Sequence, residues 1–221
     1  MTIFIASLVA AGIAAAAAIA VATPLTPRPG ATVTTAHPDF TWRLPFAEDS
    51  VAIFIADKPD VTAEGKFYDQ NFVDGADVFP GVGEWSPARP LYAGEYWWNV
   101  LSTDPSTHAR FYSPPAEFTI PVALRLNRIT AKRYSFPRRR LWVDVIAAAN
   151  VKRPLLRARL LHGRRIVWKA AHRVDGNIIP GAYGFYWYAQ RRVKQATRLR
   201  LIVSISSGGV VRTRSLVVRA P

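Results

Sequence analysis

Apolar and polar side chains alternate along most of the chain, which is the spacing of half-buried β-strands. Tyr96, Trp98 and Val100 fall on one face of such a strand. Trp97 and Asn99 fall on the opposite face. Beyond the first 22 residues, no stretch repeats its apolar side chains at helical spacing. The pattern therefore predicts an all-β protein.

Turn residues between the apolar runs divide the chain into short strands, a series that favours β-sandwiches. The strands predicted in the first half are residues 31–35, 39–44, 51–56, 94–101 and 116–121, with residues 57–90 unassigned. Those predicted in the second half are residues 124–131, 140–148, 155–161, 165–171, 183–190, 197–206 and 210–219. Ser207-Gly208-Gly209 predicts a hairpin between the last two strands.

Three stretches of the first half resemble fibronectin type III and immunoglobulin-like modules of secreted bacterial proteins. Residues 29–33 (PGATV) and 38–42 (PDFTW) are similar to the first two strands of these modules. Residues 91–100 (LYAGEYWWNV) are similar to the L-x-x-G-x-Y-x-W-x-V stretch of the sixth strand. The resemblance covers residues 24–120 and extends more weakly over 122–221. It implies two tandem sandwiches, with Tyr96 as a tyrosine-corner residue, and it implies no single function.

Charge divides the chain in the same way. Residues 23–121 carry 6 lysines and arginines against 13 acids, a net charge of −7, whereas residues 122–221 carry 23 against 2, a net charge of +21. We therefore predict an acidic domain over 23–121 and a basic domain over 122–221. The basic domain suits a polyanionic partner, and the alternative partner is the acidic domain of the same chain.

The first 22 residues decide the predicted compartment. Residues 2–22 carry no charge, and residues 3–21 would span about 28 Å as a helix. Ala20-Val21-Ala22 is an A-x-A cleavage pattern. The segment predicts a secretory signal peptide cleaved after Ala22, which places the remaining chain in the cell envelope or outside the cell. Because no lysine or arginine precedes the apolar run, an uncleaved membrane anchor is the alternative.

Pairs of arginines at alternate positions are the candidate binding residues of the basic half. In an immunoglobulin-like strand order the third, sixth and seventh strands are neighbours, so these pairs are predicted to share one outer face. The six residues are Arg157, Arg159, Arg198, Arg200, Arg212 and Arg214. Guanidinium groups on one face suit phosphate, sulfate or carboxylate groups, and we predict binding to an anionic envelope polymer or to lipid headgroups. The alternative is that arginine supplies the polar side chains that any outer face needs. The run Arg138-Arg139-Arg140 is predicted in a loop, either solvated or extending this site.

Aromatic side chains offer a second kind of contact. Phe54 and Trp97 are predicted on outward faces of neighbouring strands, where they would contact a sugar or be covered by the other domain or a crossing segment. Trp142 is predicted in the core. The aromatic run at residues 183–188 must also turn one face outward.

Residue patterns typical of catalysis are missing from the sequence. The chain has no cysteine, no G-x-S-x-G, P-loop or H-E-x-x-H motif, and its four histidines lack ligand spacing. The sequence thus predicts no catalytic residue, metal or cofactor. Export and the lack of a recognition helix disfavour nucleic acid. The predicted function is that of an exported, non-enzymatic envelope binding, adhesion or spacer protein. The alternatives are a carbohydrate-binding accessory module that uses exposed aromatics and a membrane-anchored structural protein.

Overall fold

The computed structural model describes residues 21–45, 50–79, 81–135, 138–174, 181–189 and 193–221. Within these ranges the chain forms sixteen β-strands and one 3-10 helix, Asp69–Asn71, so the protein is all-β as predicted. The predicted signal helix lies, except for Val21, outside the described residues. In the part of the chain that is described, no helix has the length and hydropathy needed to cross a bilayer.

Nine strands form two sheets in the first half. They are β1 (Thr23–Thr26), β2 (Ala31–Thr32), β3 (Phe40–Arg43), β4 (Ser50–Ala56), β5 (Phe72–Val78), β6 (Glu84–Trp85), β7 (Gly94–Thr103), β8 (Arg110–Tyr112) and β9 (Ala116–Ile120). One sheet has the order β1-β3-β6 and the other β2-β9-β7-β4-β5, with β8 also pairing with β7.

Aromatic rings fill the space between these two sheets. Phe40 from the smaller sheet meets Trp98 and Phe118 of the larger sheet edge-on, with ring centroids 5.0 and 5.5 Å apart, and all three side chains are fully buried. The indole Nε1 of Trp98 donates a 3.2 Å hydrogen bond to the carbonyl oxygen of Pro27, so the buried polar group is satisfied.

Seven strands form two sheets in the second half. They are β10 (Leu124–Tyr134), β11 (Arg140–Ala149), β12 (Leu155–His162), β13 (Arg165–Arg173), β14 (Gly181–Tyr188), β15 (Arg198–Ser207) and β16 (Val210–Arg219). The sheet orders are β10-β11-β14 and β13-β12-β15-β16. Alternate residues such as Val143, Val145, Leu160 and Leu201 form a separate buried core. Three strands facing four in this order make a fibronectin III-like sandwich.

A short junction connects the two halves, and Asn150 holds it. The Asn150 side chain donates to the Pro121 carbonyl oxygen at 2.9 Å and accepts from the Ala123 amide at 2.7 Å. Its own carbonyl oxygen accepts a 2.6 Å bond from the amide of Ala93, which precedes β7. Asn150 is buried, and its two side-chain bonds are partly shielded from water.

The predicted strands of the second half agree with the observed strands to within a few residues. Four strands of the first half, β1, β5, β6 and β8, lie in segments without a strand prediction. Edge strands β6 and β8 have only two or three residues, too few to display an alternation. The domain boundary near residue 121 stays a prediction, and the two separate cores supply a direct test of it.

We expect Phe118→Ala to destabilise only the first half. Emptying this buried position costs about 3–5 kcal/mol, and it should lower one thermal transition by more than about 10 °C. Leu160→Ala in the second core is the matched variant and should lower the other transition. Calorimetry checks both, and a single transition that moves equally in the two variants contradicts two independent domains.

We expect Asn150→Ala to destabilise the second half by about 1–3 kcal/mol, because two partly buried hydrogen bonds, to Ala123 and Pro121, are lost at about 0.5–1.5 kcal/mol each. Denaturant titration measures this loss. The exposed Asn127, where alanine should be nearly neutral, is the control. Equal effects at the two positions would show that the junction bonds contribute nothing.

Candidate functional site

The outer surface of the sheet β13-β12-β15-β16 is the candidate site. Leu156, Ala158 and Leu160 of β12 point into the core, so Arg157 and Arg159 point outward. The pairing of β12 with β15 sets Arg159 opposite Ile202 and Leu161 opposite Arg200. Arg159 and Arg200 are therefore diagonal neighbours on one face, about 7–8 Å apart at their backbones. Four of the six predicted arginines share this face: Arg157, Arg159, Arg198 and Arg200.

Arg212 and Arg214 do not share it, and the prediction is wrong for this pair. Strand β16 pairs Val203 with Arg214 and Ile205 with Arg212, and both partners are buried in the core. Arg212 and Arg214 therefore point to the inner side of the sheet. They stay exposed because β16 is an edge strand, and Nη1 of Arg214 donates a 3.1 Å bond to the Asn127 carbonyl oxygen of β10.

Three further cations lie on the outer face and were missed. Lys169 stands directly opposite Arg159, Arg173 stands opposite Leu155, and Arg219 stands opposite Arg198. We call the seven described residues of this set the cationic face: Arg157, Arg159, Lys169, Arg173, Arg198, Arg200 and Arg219. The alternation of Lys169, Ala171 and Arg173 along β13 could have indicated that the two cations share one face.

Like charges face one another on the cationic face. Residues directly opposite in an antiparallel pair have Cβ atoms about 4.5–5.5 Å apart, so the pairs Arg159–Lys169 and Arg198–Arg219 repel. The four strands of this sheet contain no aspartate or glutamate. Among the described residues, an ion pair joins Nζ of Lys66 to Oδ1 of Asp69 in the acidic half, at 2.9 Å. An anionic ligand would relieve this repulsion.

Hydroxyl groups lie between the cations. Ser204 stands opposite Arg157 on one side and Thr213 on the other, and Ser215 stands opposite Ile202. Guanidinium, ammonium and hydroxyl groups all donate hydrogen bonds, so the face offers many donors to an oxyanion.

The run Arg138-Arg139-Arg140 has a structural role instead of forming a solvated loop throughout. Nε of Arg139 donates a 2.6 Å bond to the Pro221 carbonyl oxygen, and Nη2 donates a 3.3 Å bond to that of Val193. Arg140 begins β11 and lies over the ring of Tyr134 at 4.9 Å. Neither residue extends the cationic face.

Phe54 and Trp97 lie on the outer side of the sheet that contains β4 and β7, as their alternation predicts. The segment between β4 and β5 crosses this side and covers part of it. Asn99, on the same face, is fully buried and donates a 2.8 Å bond to the Gly65 carbonyl oxygen. Phe54 packs against Phe72 and Tyr112 with ring centroids 6.4 and 6.1 Å apart. Phe54 is therefore engaged within the protein and is a weaker candidate for a sugar contact.

Tyr96 makes the bond expected at a tyrosine corner. Its hydroxyl donates to the Tyr92 carbonyl oxygen, four residues upstream, at 2.9 Å. Burial raises the pKa of the Tyr96 hydroxyl, and the charge of Asp57 adds to this. The phenol therefore stays protonated and keeps donating well above neutral pH.

Catalytic and metal-binding geometry can be judged for the described residues. Within them, no three histidine or acidic side chains are grouped so that they could hold a metal ion.

Trp142, predicted in the core, is half-buried on the outer side of β11, because Leu141 and Val143 on either side take the inward positions.

No protein-family model matches the sequence, and no curated protein matches it. The chain is similar to a solved structure of the FN1-FN3 domains of chicken CNTN1, with 14% identity and a TM-score of 0.29, over 90% of this chain and 69% of that one. It is also similar to an alpha-L-rhamnosidase from Dictyoglumus thermophilum, with 12% identity and a TM-score of 0.32, over 88% of this chain and 29% of that one. The fold described above rests on the strand order and register of this chain itself.

Proposed function

We propose that this chain is an exported, non-enzymatic binding or spacer protein of the cell envelope, and that its cationic face binds a phosphate-bearing polymer or lipid surface. The observation that carries the proposal is the set of seven outward cations on a sheet without an acid. Arginine binds phosphate oxygens through paired hydrogen bonds, which favours a phosphate ligand over a merely diffuse anion.

The flatness of the site also supports an extended ligand. The cations are spread over four neighbouring strands, which lie about 4.7–4.9 Å apart, and no enclosed pocket is needed to reach them. A polymer or a membrane surface can contact several of them at once, whereas a small anion cannot.

We expect the joint substitution of Arg157, Arg159, Arg198 and Arg200 by glutamine to weaken binding to immobilised polyphosphate. Four exposed ion pairs at roughly 0.2–1 kcal/mol each correspond to a loss of about fourfold to several-hundredfold. Elution in a salt gradient measures it, since such contacts are screened by salt. Vesicles of phosphatidylglycerol form a second arm that separates a lipid surface from a soluble polymer.

The matched control replaces Arg125, Arg128, Arg212 and Arg214 by glutamine. These four residues are exposed and lie off the cationic face. Since each variant loses four arginines, the net charge falls by the same amount in both. This control should elute close to the unmodified protein. If both variants shift equally, net charge alone governs retention and the proposed site is wrong.

Cleavage of the proposed signal peptide can be tested separately. Strand β1 begins at Thr23, so cleavage after Ala22 would leave every strand intact. We expect protein made from the whole chain in a bacterial host to be recovered with Thr23 as its first residue, as mass spectrometry would show. Ala20→Arg should block processing, because it removes the small residue three positions before the cut. Recovery of the uncut chain in the membrane fraction would instead support an anchor.

A further inference from the structure

We propose that the outer side of the other sheet of the second half, β10-β11-β14, binds an acidic glycan. The site is an aromatic patch formed by Tyr134, Trp142, Tyr186 and Tyr188. It belongs to the opposite sheet of the sandwich from the cationic face and shares no residue with it.

Strand register brings these rings together. Trp142 stands directly opposite Tyr186, and Arg140 stands between Tyr134 and Tyr188. The Trp142 and Tyr186 rings stack with centroids 5.2 Å apart, and the Tyr188 ring meets Tyr186 at 6.1 Å and 66°. Tyr186 is 53% exposed, Tyr188 49% and Tyr134 39%. Clustered exposed aromatics of this kind mark interaction sites, and the C–H faces of a sugar ring pack well on them.

The indole is held in place before any ligand arrives. Nε1 of Trp142 donates to the carboxylate of Asp144, two residues along β11. The far end of the indole lies over Gly184, where a Cβ atom would be 2.5 Å from Cζ2 and 2.8 Å from Cη2 of Trp142. Glycine therefore provides the space that the ring occupies. A fixed ring loses little entropy when a ligand binds.

Two cations on the same face as the aromatic patch favour an acidic sugar. Lys132 stands opposite Trp142, and Arg140 lies over the Tyr134 ring. Nε of Arg140 is buried and has no hydrogen-bond partner among the described residues. Lys132 and Tyr134 also line an open depression of the surface, together with Arg133, Ser135, Gln195 and Pro221.

A uronic acid combines the two features that this surface matches. Its ring presents C–H groups to the tyrosines, and its carboxylate suits Lys132 and Arg140. The tyrosine hydroxyls are polar partners for sugar hydroxyls, which a lipid chain would leave unmatched.

The test is a binding titration with tetrasaccharides that contain glucuronate or galacturonate, and with a neutral glucose tetrasaccharide. Tryptophan fluorescence and calorimetry are the readouts. We expect the acidic sugars to bind more tightly, and Tyr186→Ala and Tyr188→Ala to weaken binding at least about tenfold. Tyr68→Ala, at a tyrosine of the first half that is 43% exposed, is the control and should leave sugar binding unchanged.

Gly184→Ala should displace the Trp142 ring, which should alter the tryptophan fluorescence and weaken sugar binding in the same variant.

Three outcomes would overturn the proposal. The first is that none of the acidic tetrasaccharides binds. The second is that Tyr186→Ala binds as well as Tyr68→Ala does. The third is that the patch mediates self-association, seen as a concentration-dependent dimer that Tyr186→Ala abolishes while no sugar binds. The four-arginine variant of the cationic face should keep tetrasaccharide binding and bind polyphosphate more weakly, so the two proposals fail independently.

Discussion

The register of β15 against β16 is the constraint on which the cationic face depends. Gly208 and Gly209 both have positive φ, as the two central residues of a tight hairpin turn require, and Ser207 pairs directly with Val210. A two-residue turn pairs each even-numbered residue of β15 with an odd-numbered residue of β16. Arg198 and Arg200 are therefore accompanied by Arg219, while Arg212 and Arg214 turn to the other side. A turn one residue longer would exchange the two faces of β16 completely.

This geometry explains how far the sequence could predict the site. The hairpin is predicted with a three-residue turn, Ser207-Gly208-Gly209, which would place Arg212 and Arg214 on the outer face. In the structure Ser207 pairs with Val210, so the turn has two residues and the register excludes these two arginines from that face. Lys169 and Arg173 could not be found by counting from the short turn at Gly163, because the register of β12 against β13 shifts between Leu160 and Leu161. Without that shift both cations would fall on the inner side of the sheet.

Other features depend on distant parts of the chain, and alternation alone could not predict them. Alternation with the buried Leu141 places Trp142 on the outer face, but it does not predict that the indole packs over Gly184 of the neighbouring strand β14. The burial of Asn99 depends on the Gly65 carbonyl oxygen, which a crossing segment between β4 and β5 brings to it. In both cases the deciding neighbour is more than 30 residues away in the chain. The second half, with longer strands and tight turns, was correspondingly easier to predict than the first.

The two sheets of the second sandwich give its two outer faces different chemistry. Each strand contributes alternate residues to one outer face and the rest to the shared core, so a substitution on one face leaves the other unchanged. On the four-stranded sheet, outward cations repel one another, and its own strands carry no acid that could compensate for this. On the three-stranded sheet, the carboxylate of Asp144 is committed to the indole of Trp142 and orients a ring instead of neutralising a cation. Among the described residues of this half, the basic charge is therefore left without an acidic partner in an ion pair, which favours binding of an anion from outside.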